Sequence, residues 1–141
     1  MSALTKIKKG TFQHIESELF AYHETRKEIV RLKNEILYGK PHFENIGGGR
    51  SNLPGDPTAR TATLLTTHRE LESLERIATS IESVYEALPE DKKRMIQLKY
   101  WSKPQTRTWD GIALEMSTHR ATLIRWRNEI VRTIAMKMGW R

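Results

Sequence analysis

The feature that most constrains the fold of this chain is an apolar repeat between Leu64 and Leu88. Its side chains recur at alternating spacings of three and four, the period of a helix that packs along one seam against another helix. The members of the repeat are Leu64, Thr67, Leu71, Leu74, Ala78, Ile81, Tyr85 and Leu88. No segment shows the alternation of apolar and polar residues that predicts a strand. The repeat therefore predicts an all-α fold in which this long helix has a partner helix.

A partner helix is available in the N-terminal part of the chain. Apolar residues at helical spacing predict one uninterrupted amphipathic helix over residues 12–37. The Gly- and Pro-rich stretch 39–57 predicts a linker, and Asp56 and Pro57 suit the N-cap and first position of the next helix. Two arrangements cover the seam. The long helices fold back on each other as a hairpin, or they pair in a coiled-coil-like manner with a second subunit, for which a dimer is the favoured homo-oligomer.

The positive charge of the chain is confined to its last third. The net charge is +7; residues 1–88 hold 12 Lys and Arg and 12 Asp and Glu, whereas residues 89–141 hold 12 and 5. Such an asymmetry predicts a polyanion-binding module, residues 89–141, attached to a neutral helical region, residues 1–88, that serves oligomerisation or partner contact. The alternative is a basic surface that only keeps the protein in solution.

The basic region begins with two short helices separated by a loop. Pro89, with acidic residues directly after it, predicts a helix in "LPEDKKRMIQLKYW", and "SKPQTRT" predicts a loop. Thr108 is a suitable N-cap for a second helix, "WDGIALEM". The side chains predicted to face the core are Met95, Leu98 and Trp101 on the first helix and Ile112, Ala113 and Met116 on the second.

A corner at Ser117 and Thr118 is predicted to separate this second helix from a third. Ser and Thr are favoured N-caps, so they indicate a new helix from His119 to about Met138. Its predicted buried stripe consists of Leu123, Trp126, Ile130 and Ile134, and Trp101, Trp109 and Trp126 are interpreted as core anchors. Because Ala113 permits the third helix to cross the second closely, the pair has the features of a helix-turn-helix.

The face opposite that stripe is cationic and carries no acidic residue from 117 to 128. The first turns of a recognition helix reach base edges in the major groove, where Arg pairs with guanine and Asn with adenine. Arg120 and Arg125 are the predicted principal base readers. The other predicted DNA contacts are His119, Thr122 and Asn128 on the same face, and Thr118, Lys103, Arg107 and Arg127 for phosphates. A solvated His119 and a phosphate-bound Asn128 remain alternatives.

The residue types present point away from catalysis. The chain has no Cys, its five His show no metal-ligand spacing, and no nucleophile motif occurs. "GGGR" lacks the strand and the Lys-Ser/Thr of a phosphate-binding loop. No apolar stretch is long enough to span a membrane. We therefore expect a cytoplasmic protein with no membrane contact, enzymatic activity, cofactor or metal.

The C-terminal sequence resembles a known promoter-binding domain. "LPEDKKRMIQLKYW" followed by "TWDGIALEMSTHRATLIRWRNEIV" resembles region 4 of bacterial sigma factors. From about residue 12, including "IVRLKNEILYG" and "NIGGGRSNLPGDPTARTATLL", the chain resembles the RinA/ArpU family of phage transcriptional regulators. Carried over by position, the recognition helix falls on residues 119–132, and Ser117 stands where the turn usually has Gly.

That resemblance implies a sequence-specific activator of phage late genes, which binds double-stranded DNA at promoters and engages host RNA polymerase in the bacterial cytoplasm. The alternative is a DNA-packaging protein similar to phage small terminase subunits, which also join a helix-turn-helix to a helical oligomerisation region.

Overall fold

The structure is a computed structural model of the 141-residue chain and describes residues 6–39 and 57–141. These residues form helices and no strand, so the all-α prediction is confirmed. The helices are α1 (Lys9–Phe20), α2 (Tyr22–Tyr38), α3 (Pro57–Glu86), α4 (Glu90–Lys99), α5 (Trp109–Glu115) and α6 (Arg120–Met138). Most of the predicted linker, with "GGGR" and the predicted N-cap Asp56, lies outside the described residues.

The prediction of one uninterrupted helix over residues 12–37 is wrong, because the helix is interrupted at Ala21 (φ −88°, ψ 1°). The indole Nε1 of Trp101 donates to the carbonyl of Leu19 at 3.0 Å, and the amide Nε2 of Gln105 donates to the carbonyl of Phe20 at 2.9 Å. These donors satisfy the backbone acceptors at the end of α1 and stabilise the interruption. Both come from the other end of the chain, so the local periodicity could not reveal them.

The described residues belong to two compact units. Among the described residues, the first unit comprises 6–24 and 76–141, and the second comprises 25–39 and 57–75. This division differs from the predicted boundary between residues 88 and 89. The reason is that α1 packs against α6 and the end of α3 enters the same core, so N-terminal residues form part of the unit that contains α5 and α6.

The second unit pairs the later part of α2 with the earlier part of α3. Its buried side chains lie on both helices and are Thr25, Ile29, Leu32, Thr67 and Leu71. Lys33 Nζ lies 3.1 Å from Glu75 Oε2 and links the two helices. The apolar seam is therefore covered within one chain from Thr67 onward, as in the hairpin alternative. Leu64, the first member of the repeat, stays 47% exposed.

The core of the first unit is built by five helices. Its buried side chains are Ile15 and Leu19 from α1; Ile77, Ile81 and Val84 from α3; Met95, Ile96 and Tyr100 from α4 and its C-cap; Ile112 and Ala113 from α5; and Leu123, Ile130, Val131, Ile134, Ala135 and Met138 from α6. Most positions predicted to face the core do so. Trp101, Trp109 and Trp126 are partly buried against it, which supports their interpretation as core anchors.

A polar network crosses this core between α1, α4 and α6. The hydroxyl of Tyr100 donates to Glu16 Oε2 at 2.8 Å, and Arg127 Nη1 lies 3.4 Å from the same oxygen. The Arg127 guanidinium also lies 5.0 Å from the ring centroid of Phe12 and 5.7 Å from that of Trp109. Burial, followed by the negative charge of Glu16, raises the pKa of Tyr100. The network thus joins one neutral phenol, one carboxylate and one cation in a single satisfied group.

The raised pKa of Tyr100 predicts a specific loss of stability at alkaline pH. Above about pH 10 the unfolded chain releases the phenolic proton while the folded protein retains it, so the free energy of unfolding falls by up to about 1.4 kcal/mol per pH unit. The variant Tyr100→Phe has no phenolic proton to release at this position, so its stability does not fall for this reason. At pH 7 the variant should be less stable by about 1–2 kcal/mol, because the hydrogen bond to Glu16 is lost.

The difference in stability between wild type and Tyr100→Phe, measured by urea unfolding from pH 7 to 11, should shrink or reverse above pH 10. Tyr38→Phe is the matched control, since Tyr38 is 81% exposed. Parallel stability curves for wild type and Tyr100→Phe across this range would contradict the expectation.

Candidate nucleic-acid interface

α5 is a short helix with a side-chain cap at its start. The Oγ1 of Thr108 accepts a hydrogen bond from the backbone N–H of Gly111 at 3.0 Å, so the predicted N-cap is confirmed. Asp110 lies in the first turn, where a carboxylate opposes the positive end of the helix dipole. Ile112 and Ala113 are buried, and the small Ala113 side chain lies where α5 packs against α6. The helix thus presents a compact inner face to the helix that follows.

The chain turns between α5 and α6 through a Schellman motif. The N–H of Ser117 donates to the carbonyl of Leu114 at 3.2 Å, and the N–H of Thr118 donates to the carbonyl of Ala113 at 2.9 Å. Ser117 adopts φ +55°, in the left-handed region that usually favours glycine. The predicted corner at Ser117 and Thr118 is therefore present.

The start of α6 differs in detail from the prediction. The N-cap is His119, with extended backbone (φ −106°, ψ 146°) and no side-chain capping hydrogen bond, and the helix begins at Arg120. Ser117 and Thr118 were predicted to cap it through their side chains. They instead form the turn through their backbone N–H groups. The position of the corner was predicted correctly, but it is formed by backbone hydrogen bonds at the C-terminal end of α5 and not by side-chain caps of α6.

Arg120 and Arg125 both extend into solvent from the outer face of α6. The Arg120 side chain is 60% exposed, and its Nε lies 3.7 Å from Asp110 Oδ1. Arg125 is exposed and has no ion-pair or hydrogen-bond partner within residues 6–39 and 57–141. His119 is also exposed, at the N-terminal end of this face. Two guanidinium groups are therefore available at the end of α6 that follows the corner.

Thr122 and Asn128, both half-buried, continue the same face, and Thr118 is half-buried in the turn. The face extends further than predicted, because Arg132 shares a shallow surface groove with Arg125 and Asn128. Arg132 follows Arg125 by seven residues, so helical spacing was the signal that could have included it. Glu129 is the acidic residue of this groove, and its Oε1 lies 3.7 Å from Lys92 Nζ.

Arg127 does not lie on this face, although it was predicted to contact phosphate. Its side chain is only 20% exposed and is enclosed by Glu16, Phe12 and Trp109. Its Nε donates to Asn128 Oδ1 at 2.9 Å. Because its charge is matched by Glu16 inside the fold, Arg127 links α6 to α1, and its predicted phosphate contact stays a prediction.

Lys103 and Arg107, the two residues of the loop before α5 that are predicted to contact phosphate, differ in their surroundings. Lys103 is 70% exposed, with Nζ 3.9 Å from Glu24 Oε2. Arg107 forms an ion pair with Glu115, whose other oxygen lies 3.3 Å from Arg94 Nη2. Lys103 thus remains accessible to a partner, whereas Arg107 is held against α5 by a shared carboxylate.

The described residues lack two further kinds of feature. No helix within 6–39 or 57–141 combines the length and apolarity needed to cross a bilayer. The same residues contain no group of three or more His, Asp or Glu arranged to hold a metal ion.

The positive φ of Ser117 predicts that Ser117→Gly stabilises the protein. Glycine adopts the left-handed region without the steric penalty that a Cβ brings, so the melting temperature should rise by an amount equivalent to about 0.5–1 kcal/mol. Ser17→Gly is the matched control, because Ser17 lies inside α1, where glycine should destabilise by a similar amount. Thermal unfolding followed by circular dichroism measures both. A lower melting temperature for Ser117→Gly would be inconsistent with the observed corner.

Comparison with known proteins identifies the family of this chain. No curated protein and no solved structure matches it significantly. Residues 19–136, which include α2–α5 and most of α6, match a family described as "Protein of unknown function (DUF722)". Since the match covers more than half of the chain, the protein belongs to the DUF722 family.

Proposed function

We propose that this protein binds double-stranded DNA sequence-specifically through α6 and regulates transcription. The observation that carries the proposal is the placement of Arg120 and Arg125. Both guanidinium groups project into solvent from the N-terminal half of a helix that follows a tight corner. A helix of these dimensions enters the major groove of B-DNA, and the fork of an Arg side chain matches the O6 and N7 acceptors of guanine.

The electrostatics of residues 89–141 support a polyanionic partner. This region holds 12 Lys and Arg against 5 Asp and Glu. Four of those acids, Glu90, Asp110, Glu115 and Glu129, already lie within ion-pair distance of cations of the same unit. Arg125 and Arg132 have no such partner in the described part of the chain. Unneutralised charge therefore remains on the outer face of α6, where a duplex would dock.

The resemblance to RinA/ArpU regulators and to sigma factor region 4 supports a more specific role within this proposal. The protein would activate phage late genes by binding their promoters and engaging host RNA polymerase. If the protein recruits RNA polymerase directly, adding it should increase the amount of transcript made from a template that carries its binding site upstream of a bacterial promoter. Run-off transcription with bacterial polymerase holoenzyme tests this part. Intact binding without increased transcript would reject activation and leave DNA binding standing.

The reading residues can be tested without knowing the operator. Selection from a random-sequence duplex library should yield a preferred site, and Arg125→Ala should bind that site roughly 10- to 100-fold more weakly, the loss of one bidentate base contact. The measurement is fluorescence anisotropy at fixed salt. Enrichment of no sequence, or equal affinity of wild type and Arg125→Ala for the selected site, would refute this reading of α6.

A matched control is available on the same helix. Lys137 is exposed in the last turn of α6, so Lys137→Ala removes the same charge far from the proposed reading end. We expect it to change binding of the selected site and of an unrelated duplex by the same small factor, because a distant cation contributes without regard to sequence. Arg125→Ala should instead reduce the ratio between the two affinities.

A further inference from the structure

A lysine-rich segment at the start of α1 forms a second charged surface of the first unit. Lys6, Lys8 and Lys9 are exposed, while Ile7 between them is partly buried against the core. Phe12, three residues after Lys9, packs against the same core. These apolar contacts hold the segment, residues 6–9, on the unit and leave its three ammonium groups in water.

The lysine segment lacks a counter-charge within residues 6–39 and 57–141. None of its three ammonium groups forms an ion pair or hydrogen bond there. The first turn of α1 contains no acidic residue. Further along α1, Glu16 is engaged by Tyr100 and Arg127, and Glu18 lies 3.7 Å from His14 Nε2. Three like charges within four positions repel each other, so the segment favours an external polyanion.

The position of the segment relates it to the proposed DNA interface. Phe12 lies beneath the Arg127 guanidinium, at 5.0 Å, and Arg127 Nε donates to Asn128 Oδ1 at 2.9 Å. Asn128 lines the groove on the outer face of α6. Lys9 precedes Phe12 by about 4.5 Å along the helix axis, at 1.5 Å per residue. Thr11, two residues after Lys9, donates its hydroxyl to the backbone carbonyl of Arg141, which follows the end of α6. The lysine segment therefore precedes the part of α1 that packs against α6 and lies on the same unit as the outer face of that helix.

We propose that Lys6, Lys8 and Lys9 bind backbone phosphates of the duplex that α6 reads, an inference that rests on the function proposed above. A duplex carries one negative charge per about 1.7 Å of axis, so phosphates flank any helix lying in a groove. A Lys ammonium is a flexible point charge that suits phosphate and carries little base discrimination. The segment thus supplies sequence-independent affinity on the same unit as the sequence-reading face, and it extends the interface to residues far from α5 and α6 in the chain.

The test is the triple variant Lys6→Gln, Lys8→Gln, Lys9→Gln in the full chain, with a mixed-sequence duplex of about 30 base pairs as the probe. Binding is measured by fluorescence anisotropy between about 0.05 and 0.3 M salt. Loss of up to three phosphate contacts should weaken binding about 10- to 100-fold near 0.2 M salt and reduce the slope of log K against log salt by about 2–3. Preference for the selected site over this duplex should remain unchanged.

The control is Lys27→Gln, Arg60→Gln, Arg69→Gln, which removes the same net charge from exposed positions of the second unit. It should lower affinity and slope much less than the lysine-segment variant, because its cations belong to the unit that carries neither α6 nor the lysine segment. The inference is overturned if the lysine-segment variant keeps wild-type affinity and slope, or if the control loses as much. In either case Arg125→Ala can still weaken the selected site, which would leave the proposed function intact. If wild type binds no duplex, both proposals fail together.

Discussion

The arrangement of the first unit depends on the contact between Arg127 and Glu16. A guanidinium that is four-fifths buried requires a carboxylate, because an unpaired charge in the interior is strongly unfavourable. Glu16 also accepts a hydrogen bond from the hydroxyl of Tyr100, so one carboxylate satisfies two groups on different elements. These bonds tie α1 and the C-cap of α4 to α6, and they hold Arg127 inward while Arg125, two residues earlier on the same helix, stays exposed.

Local signals were sufficient to locate α5, α6 and the corner between them. The Thr108 cap, the buried stripe through Leu123 and Ile130, and the corner at Ser117 could all be located in the sequence, because each depends on residues within one or two helical turns. The corner also shows the limit of such reasoning. Ser and Thr were interpreted as side-chain caps, whereas the structure uses their N–H groups and a left-handed serine. A sequence pattern can thus predict the position of a turn correctly although the hydrogen bonds that form the turn differ from those expected.

The features that the sequence did not reveal depend on partners distant in the chain. Arg127 lies beside Asn128 on a cationic helix and has the pattern of a phosphate contact, but its carboxylate is 111 residues earlier. The interruption at Ala21 depends on donors from Trp101 and Gln105, more than 80 residues later. Ile96 and Tyr100 are buried because α1 and α3 complete the core around α4. None of these contacts has a local signature, and they account for the inclusion of α1 in the C-terminal unit.

The carboxylate of Glu115 has a consequence for any anion that approaches α5. It already lies beside the guanidinium groups of Arg94 and Arg107, which it holds as an internal substitute for a phosphate. A nucleic acid that bound those arginines would displace the carboxylate of Glu115, which is covalently part of the protein. It would not displace a mobile anion into solution. Such an exchange yields less mixing entropy than the release of free anions. The number of basic residues in this region therefore overstates the electrostatic free energy gained when a nucleic acid binds. Arg125, which has no carboxylate partner among the described residues, contributes a disproportionate share of that gain.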